Sequence, residues 1–297
     1  MRTTKRFTPA VLRRFVRQGR GLGTFDDYKA WHQVSRGDPA SRGRSHLQLW
    51  MNRQLDLLSD IEWTCTLFSS MDPEVVDIRP QFPLALSTAQ HELGAYRADY
   101  TGLQAPGTRE IAARFGIAHP AVTGQGERSD WVLSTDLLLT LEKNGDKSLL
   151  AVSAKPEDGW RTPRQIELFS IEQAYWNARG VRWQLITPAQ YAKSVGLTLR
   201  RTAAWALGPS VSEEDRRLAA IVATRLQGRS ERLVLETLHH LLKDMDRAQR
   251  ALWQAIWSGQ LPVDLDRGHR NHLPLRHVPI EHFVDQNPVR AGRSAWN

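Results

Sequence analysis

The chain has 297 residues, of which 41% are hydrophobic and 24% charged, a composition typical of a globular protein. This length is sufficient for two ordinary domains, each with a buried core. No run approaches the ~18 uninterrupted apolar residues of a membrane helix, and the basic N-terminus lacks the apolar segment of a secretory signal. We therefore expect a cytoplasmic protein. The single cysteine, Cys65, excludes an internal disulfide framework.

The formal net charge is +8, and the basic residues are concentrated towards the two ends of the chain. Counting Lys and Arg against Asp and Glu, residues 1–60 carry 12 against 5, residues 61–188 carry 12 against 16, and residues 189–297 carry 16 against 11. Basic flanks bind phosphates and an acidic middle can hold metal, so this distribution suits a nuclease of DNA. RNA-binding proteins can be equally basic, so charge alone leaves both classes open.

The N-terminal segment begins with a predicted amphipathic helix over 9–18, followed by two loops rich in glycine and arginine, over 19–23 and 41–46. Backbone can approach phosphates closely at glycine, which favours DNA contacts by these loops. The alternative is that the loops are solvated and have no partner. The candidate DNA-binding residues are Arg20, Arg42, Arg44 and His46.

The middle of the chain has the pattern of an α/β core. In chain order, the predicted elements are a helix over 61–69, a short strand over 75–78, a helix over 109–115, strands over 131–140 and 149–155, a helix over 163–179 and a strand over 182–186. Arg79-Pro80 is predicted to end the short strand, and Asn144-Gly145 predicts a tight hairpin turn between the two central strands.

Beyond residue 187 the pattern becomes helical. Ser212 is predicted to open one helix, and two more are predicted over 230–242 and 244–257. Residues 261–278 are predicted to form a hairpin after these helices, which is the order of a winged-helix domain, and the last residues, about 287–297, are expected to fray. We therefore predict two domains, over 1–188 and 189–297.

Two charged residues interrupt the apolar pattern of the predicted central strands. Asp136 lies within one strand and Lys155 ends the next, so a hairpin would bring their side chains together. A buried carboxylate needs a cationic partner, which is either the lysine or a metal ion. A simple ion pair is one interpretation. The other is a nuclease of the PD-(D/E)XK type, in which a carboxylate binds metal and the lysine acts on the attacking water.

Several motifs favour the second interpretation. They are Leu57–Glu62, Val75–Arg79 with Gln81–Leu84, Ile117 with His119-Pro120, Ser134–Asp136, Lys155-Pro156, Gly19–Gly21 with Asp27-Tyr28 and Trp31, Gly43–His46, and Ile171-Glu172 with Tyr175-Trp176 and Arg182-Trp183. In this order and approximate spacing they resemble the TnsA family, the restriction-endonuclease-like subunits of heteromeric bacterial transposases. The resemblance covers roughly residues 7–188, and the remainder only by helical character and size.

The resemblance implies a restriction-endonuclease-like mixed sheet flanked by helices, with a mainly helical, winged-helix-like C-terminal domain. It also implies a catalytic triad of Glu62, Asp136 and Lys155, in which the two carboxylates bind Mg²⁺ or Mn²⁺. Glu172, on the helix after the lysine strand, would support this site without binding the metal. The alternative for Glu172 is an exposed helical charge.

The chain departs from the family pattern at Ser153, two residues before the lysine. The general motif has Asp or Glu there, and TnsA proteins typically have Gln. A serine offers a neutral hydroxyl and the neighbouring backbone carbonyl, so metal binding would depend more strongly on Glu62. The departure affects the expected metal affinity and not the expected fold.

The implied function is metal-dependent hydrolysis of the 5′ strand at transposon ends. The implied partners are double-stranded DNA, a TnsB-like DDE transposase, and a TnsC-like AAA+ regulator that contacts the C-terminal domain. Two alternatives stay open. One is a stand-alone restriction or repair nuclease, which would cut without partners, and the other is a DNA-bound adaptor whose site no longer binds metal.

Overall fold

The computed structural model describes residues 6–39, 43–158 and 160–296. Two compact units are present in the chain. The first unit comprises the chain up to Trp63, then Glu74–Thr187 and Trp296, and the second comprises Thr64–Pro73 and Pro188–Ala295.

In the part of the first unit that the structure describes, the strands form one mixed sheet and three small two-stranded pairs. In chain order they are β1 (His46–Trp50), β2 (Arg53–Leu57), β3 (Val75–Pro83), β4 (Ala89–Gln90), β5 (Gln104–Ala105), β6 (Ala121–Gly124), β7 (Glu127–Asp130), β8 (Ser134–Lys143), β9 (Asp146–Ala154) and β10 (Arg182–Ile186). The mixed sheet has the strand order β10-β9-β8-β3, in which β10 runs parallel to β9 and the other neighbours are antiparallel. β1 pairs with β2, β4 with β5, and β6 with β7.

Helices occur in both units. They are α1 (Pro9–Arg17), α2 (Asp60–Ser70), α3 (Thr108–Arg114), α4 (Pro163–Asn177), α5 (Lys193–Ala206), α6 (Glu213–Arg225), α7 (Glu231–Leu242), α8 (Met245–Trp257) and α9 (Ile280–Asp285). Among the described residues, none of these helices combines the length and the apolar character needed to span a membrane.

The central strands β8 and β9 are buried on both faces. Leu137, Leu138 and Leu139 of β8 and Val152 of β9 are fully buried, which explains the nearly continuous apolar runs in the sequence. Asn144 and Gly145 join the strands with φ values of 53° and 85°, as a type I′ turn requires. The predicted hairpin is confirmed. Its register brings the first residues of β8 and the last residues of β3 and β9 to one end of the sheet.

Strand β3 is longer than the sequence predicts, since it continues through Pro80 to Pro83. Proline lacks a backbone N–H and normally interrupts a sheet, but an edge strand tolerates it because one side of the strand needs no partner. Among the described strands, β3 lies at the edge of the sheet and pairs with β8 alone. The prediction that Arg79-Pro80 ends the strand is therefore wrong.

The predicted N-terminal helix is confirmed as α1. The side chain of Thr8 caps its first turn, accepting a hydrogen bond from the backbone N–H of Val11. Leu12 and Phe15 on the buried face form a hydrophobic cluster with Trp31. Burial of this face anchors the N-terminal segment within the first unit.

The second unit consists mainly of helices packed around α8, whose residues from Ala251 to Trp257 are all buried. The predicted helix starts are confirmed, because Ser212, Ser230 and Asp244 each accept hydrogen bonds from first-turn N–H groups. Helix α5 was not predicted. Its residues include Gly196 and two threonines, Thr198 and Thr202, all of low intrinsic helix propensity.

The segment after α8 differs from the predicted hairpin. Val263 and His277 form one antiparallel bridge, with Asp264 N–H donating to the carbonyl of Arg276 at 2.8 Å, but the described residues over 261–278 contain no extended strand pair. The predicted fraying is also wrong over its first residues. Asn287 is buried, and its side-chain amide donates to the carbonyl oxygen of Phe68 at 2.7 Å.

Candidate active site

Glu62 lies in the first turn of α2 and is only 6% exposed. Ser59 caps this turn by accepting a hydrogen bond from the backbone N–H of Glu62 at 3.2 Å. The carboxylate of Glu62 turns back towards the start of the helix. Its Oε2 accepts from the backbone N–H of Leu58 at 2.8 Å, and its Oε1 accepts from the Ser59 hydroxyl at 3.1 Å. Local sequence therefore fixes this carboxylate, as in a capping box.

Gln81, near the end of β3, makes a further contact with Glu62. Its side-chain Nε2 donates to Oε2 of Glu62 at 2.8 Å. The backbone of Gln81 has a φ of 51°, a left-handed conformation that costs roughly 1–2 kcal/mol in a residue other than glycine. Gln81 was not among the predicted site residues. The signal that identified Asp136, a charged residue in an apolar strand, does not mark Gln81, because β3 also contains Asp77 and Arg79.

Asp136 and Lys155 form an ion pair at the same end of the sheet. The Asp136 carboxylate is buried, and its Oδ2 lies 2.5 Å from the Lys155 ammonium nitrogen. The same oxygen accepts a hydrogen bond from the backbone N–H of Ala154 at 2.7 Å. Lys155 follows directly after β9, and its backbone N–H donates to Ile186 on β10. The predicted juxtaposition of these two side chains is therefore present in the structure.

Glu172 of α4 is buried and receives three hydrogen bonds on one oxygen. Oε1 accepts from the hydroxyls of Thr135 at 2.8 Å and Ser153 at 2.5 Å, and from the indole N–H of Trp183 at 3.1 Å. The alternative of an exposed helical charge is therefore wrong. The hydroxyl of Ser153, where the general motif has an acid, donates to a carboxylate supplied by a different element.

An aromatic cluster surrounds this carboxylate. Trp183 packs against Phe169 and Trp296, with ring centroids 6.2 and 5.7 Å away, and Trp296 donates to the side-chain oxygen of Gln173 at 3.0 Å. Trp296 lies within the segment that was predicted to fray. Aromatic packing of this kind excludes water and strengthens electrostatic interactions in the site.

The site contains more negative than positive charge. Burial and, after it, the nearby charge of Asp136 raise the pKa of Glu62 to about 7, against the opposing effects of Lys155 and of the hydrogen bonds from Leu58 and Ser59. Burial also raises the pKa of Glu172. Burial opposes protonation of Lys155, but the adjacent Asp136 carboxylate outweighs it and raises the pKa of the ammonium group. Lys155 is therefore a cation, and two neighbouring carboxylates compete for it.

The oxygen ligands of this site have the chemistry that Mg²⁺ or Mn²⁺ prefers. Within the described ranges, no group of three or more His, Cys, Asp or Glu side chains is gathered closely enough to hold a metal by itself. Glu62 and Asp136 are two buried carboxylates whose mutual repulsion raises the pKa of Glu62. A divalent cation bound by both would relieve that repulsion, so the residues present fit such an ion.

We expect the metal-free protein to lose stability as the pH rises from about 5 to 8. The folded state binds the Glu62 proton more tightly than the unfolded chain does, and this tighter binding stabilises the fold. The stabilisation is complete below the ordinary pKa of 4.5 and is lost as the pH rises past about 7. The loss is on the order of 3 kcal/mol. Thermal melts in EDTA should show it in wild type and not in Glu62→Gln.

Glu167→Gln provides a control for this measurement, because Glu167 is an exposed carboxylate on α4 paired with Arg164. It should keep the pH dependence of wild type. If Glu62→Gln also keeps it, then the pKa of Glu62 is not raised in the folded protein.

The candidate DNA-binding residues differ in exposure. Arg20 is only 7% exposed, because its guanidinium pairs with Asp38 at 2.7 Å and lies over the ring of Phe15. This structural role removes Arg20 from the proposed DNA contacts. His46 is mostly buried, stacked on Trp63 and 2.6 Å from Asp60. These contacts leave its imidazole little surface for a phosphate.

Arg44 differs from these residues, since its side chain is 76% exposed. Its guanidinium forms a long pair with the Asp60 carboxylate, at 3.7 Å. Arg42 lies outside the described residues. The preceding Gly43 lies against the turn that leads into α2, where a Cβ atom would come within 2.9 Å of the carbonyl oxygen of Leu58. Only glycine allows this approach, which places Arg44 beside the start of the helix that carries Glu62.

The mixed sheet flanked by helices, with buried carboxylates and a lysine at one end, defines a restriction-endonuclease-like protein. A family model described as "TnsA-like endonuclease N terminal" matches residues 72–188. The transposon Tn7 transposition protein TnsA of Escherichia coli is 29% identical over 217 residues, which cover 72% of this chain and 68% of that protein. The chain is therefore similar to TnsA over most of its length, and residues 72–188 match a TnsA-like endonuclease domain.

Proposed function

We propose that this chain is a metal-dependent DNA endonuclease that hydrolyses the 5′ strand at transposon ends. The observation that supports this most directly is the convergence of the buried Glu62 and Asp136 with the partly exposed Lys155 at one end of the mixed sheet. The similarity to TnsA and the match of residues 72–188 to a TnsA-like endonuclease domain support the same reaction class. Catalysis is assigned to residues 1–188.

Glu62 and Asp136 would hold the cation, Mg²⁺ or Mn²⁺. When bound, it supplies Lewis-acid polarisation of the phosphate and a more acidic water. Asp136 is held in place by the Ala154 N–H and by Lys155, and Glu62 by Leu58 and Gln81. These fixed contacts give the carboxylates a defined orientation before substrate binds, which is what preorganised catalysis requires.

Lys155 acts as a protonated donor in this mechanism. Its raised pKa keeps the ammonium charged near neutral pH, so it can orient the attacking water and stabilise the negative charge that develops on the phosphate. Its side chain is 28% exposed and can therefore reach a substrate. Glu172 and Ser153 position this end of β9 through their hydrogen bond, without binding the metal.

The partners proposed for this chain are double-stranded DNA, a TnsB-like DDE transposase and a TnsC-like AAA+ regulator. The net charge of +8 favours DNA binding, with Arg44 as an exposed contact near Glu62 and with Arg42 as a further candidate. Residues 189–297 are assigned to contacts with the regulator and DNA. Recognition of the end sequence would belong to the transposase partner.

The test is strand-specific cleavage of end-labelled transposon-end DNA. Wild-type protein is incubated alone or with the transposase and ATPase of the same transposon, in Mg²⁺ or in EDTA. We expect the 5′-strand cut only when the metal and both partners are present. Cleavage by the chain alone would instead identify a stand-alone nuclease. Absence of a 5′ cut, together with no heat on calorimetric Mn²⁺ titration, would identify a DNA-bound adaptor.

A further inference from the structure

Gln81 has a backbone conformation that glutamine rarely adopts. Its φ of 51° lies in the left-handed region, although the residue is only 3% exposed and lies within a strand. Its carbonyl oxygen accepts a hydrogen bond from the backbone N–H of Trp31 at 3.2 Å. A residue other than glycine keeps such a conformation only where its surroundings hold it, and such residues are concentrated at functional sites.

The Gln81 side chain contacts one carboxylate of the candidate site, and its backbone lies opposite the strand position that carries the other. Its Nε2 donates to Oε2 of Glu62 at 2.8 Å. In the β3–β8 register, Pro80 is paired with Leu137 and Phe82 with Thr135, so Gln81 lies across from Asp136. One residue of the edge strand thus contacts one carboxylate and neighbours the other.

The chemistry of a glutamine amide suits this place. It is a neutral donor, so it orients a carboxylate without cancelling the negative charge that a cation needs. An arginine or lysine would compete with the cation, and a glutamate would add a third like charge. The N–H groups of Gln81 and Leu58 both donate to Oε2, and the Ser59 hydroxyl donates to Oε1.

We propose that Gln81 is a positioning residue that orients the Glu62 carboxylate for a divalent cation. The proposal rests on the proposed function, because it assumes that Glu62 binds metal. Gln81 acts through Glu62 and touches neither the water nor the phosphate. Groups that orient metal ligands in this way typically change metal affinity or activity 10–100-fold when they are removed, an order-of-magnitude range.

The test is calorimetric Mn²⁺ titration of wild type, Gln81→Gly and Gln81→Asn. Glycine adopts a positive φ without strain, and asparagine tolerates it better than most residues, but asparagine is one methylene too short to reach Glu62. We expect the Mn²⁺ affinity of both variants to fall about 10-fold or more. The 5′-strand cut should weaken in parallel.

The matched control is Gln125→Gly. Gln125 also has a positive φ, of 55°, but it lies exposed in the β6–β7 turn. This substitution relieves the same backbone strain and should leave Mn²⁺ affinity unchanged. Thermal melts of all the variants verify that each is folded at the titration temperature.

The outcomes separate this proposal from the proposed function. If wild type binds Mn²⁺ and both Gln81 variants bind it within about twofold of wild type, the positioning role is wrong and the proposed function stands. If wild type gives no heat with Mn²⁺, the proposed function fails and the positioning role fails with it. Equal losses of Mn²⁺ affinity in Gln81→Gly and Gln125→Gly would also overturn the proposal, because they would show that the loss comes from the glycine backbone and not from the missing Gln81 side chain.

Discussion

Asp136→Asn is expected to abolish the 5′-strand cut, lowering its rate by at least about 10²–10³-fold, the typical cost of removing one group that stabilises transition-state charge. Asparagine has the size of aspartate, and its oxygen can still accept the hydrogen bond from Ala154, so the fold should be retained. What it lacks is the negative charge that pairs with Lys155 and would bind the cation. Calorimetry should therefore also show loss of Mn²⁺ binding.

Asp146→Asn is the matched control for this experiment. Asp146 is the exposed first residue of β9, at the turn end of the same hairpin, and its carboxylate forms a long 3.6 Å pair with Arg97. The Asp146→Asn variant should cut the 5′ strand at the wild-type rate. If Asp136→Asn cuts like Asp146→Asn, then the Asp136–Lys155 pair is structural and the nuclease site lies elsewhere in the chain.

Lys155→Ala is expected to slow the 5′-strand cut by about 10²–10⁴-fold, the usual contribution of a positioned proton donor or acceptor. In contrast to Asp136→Asn, this variant should keep Mn²⁺ binding or bind more tightly. The substitution removes a positive charge that lies 2.5 Å from a proposed metal ligand, so the cation would compete with no ammonium group. Single-turnover cleavage and calorimetry on the same preparation test both statements.

Lys147→Ala provides the comparison. Lys147 lies on β9, the strand that ends just before Lys155, and its side chain pairs with Glu142. Its cleavage rate should match wild type. Loss of Mn²⁺ binding in Lys155→Ala would contradict the assigned role, because it would show that the lysine maintains the metal site and does not act on the reacting groups. We expect that arginine will not substitute for Lys155, because its planar guanidinium differs in shape and hydration from an ammonium group.

The hairpin that carries Asp136 and Lys155 could be predicted from the sequence because its signals are local. Asn144-Gly145 specifies the turn, and the apolar runs on either side specify strands buried on both faces. A charged residue within such a run is unusual enough to be noticed. The contact between the two side chains then follows from the register.

Other elements could not be predicted because their causes are distant in the chain. The continuation of β3 through Pro80 depends on its place at the edge of the sheet, which no local pattern reveals. Asn287 and Trp296 looked like terminal residues that fray, but their partners, Phe68 and Trp183, are far away in sequence. Burial by residues that are distant in sequence cannot be predicted from local composition.

The site itself was only partly accessible to sequence reasoning. Glu62 entered the prediction through the family resemblance, since nothing in its helix distinguishes it from an exposed charge. Arg20 looked like a DNA contact because it stands in a glycine-rich loop, yet its guanidinium is used by Asp38. The three hydrogen bonds to Glu172 come from three elements, β8, β9 and β10, and depend on the packing of α4 against the sheet.

The burial of Cys65 in the middle of α2 has a practical consequence. As the chain contains no other cysteine, a thiol introduced at an exposed position would be the one that reagents reach in the native protein. Cysteine at position 44 could form a disulfide with DNA that carries a tethered thiol, and the efficiency at successive nucleotides would map where the duplex passes the start of α2. The same thiol could carry a fluorophore that reports assembly with partner proteins in real time.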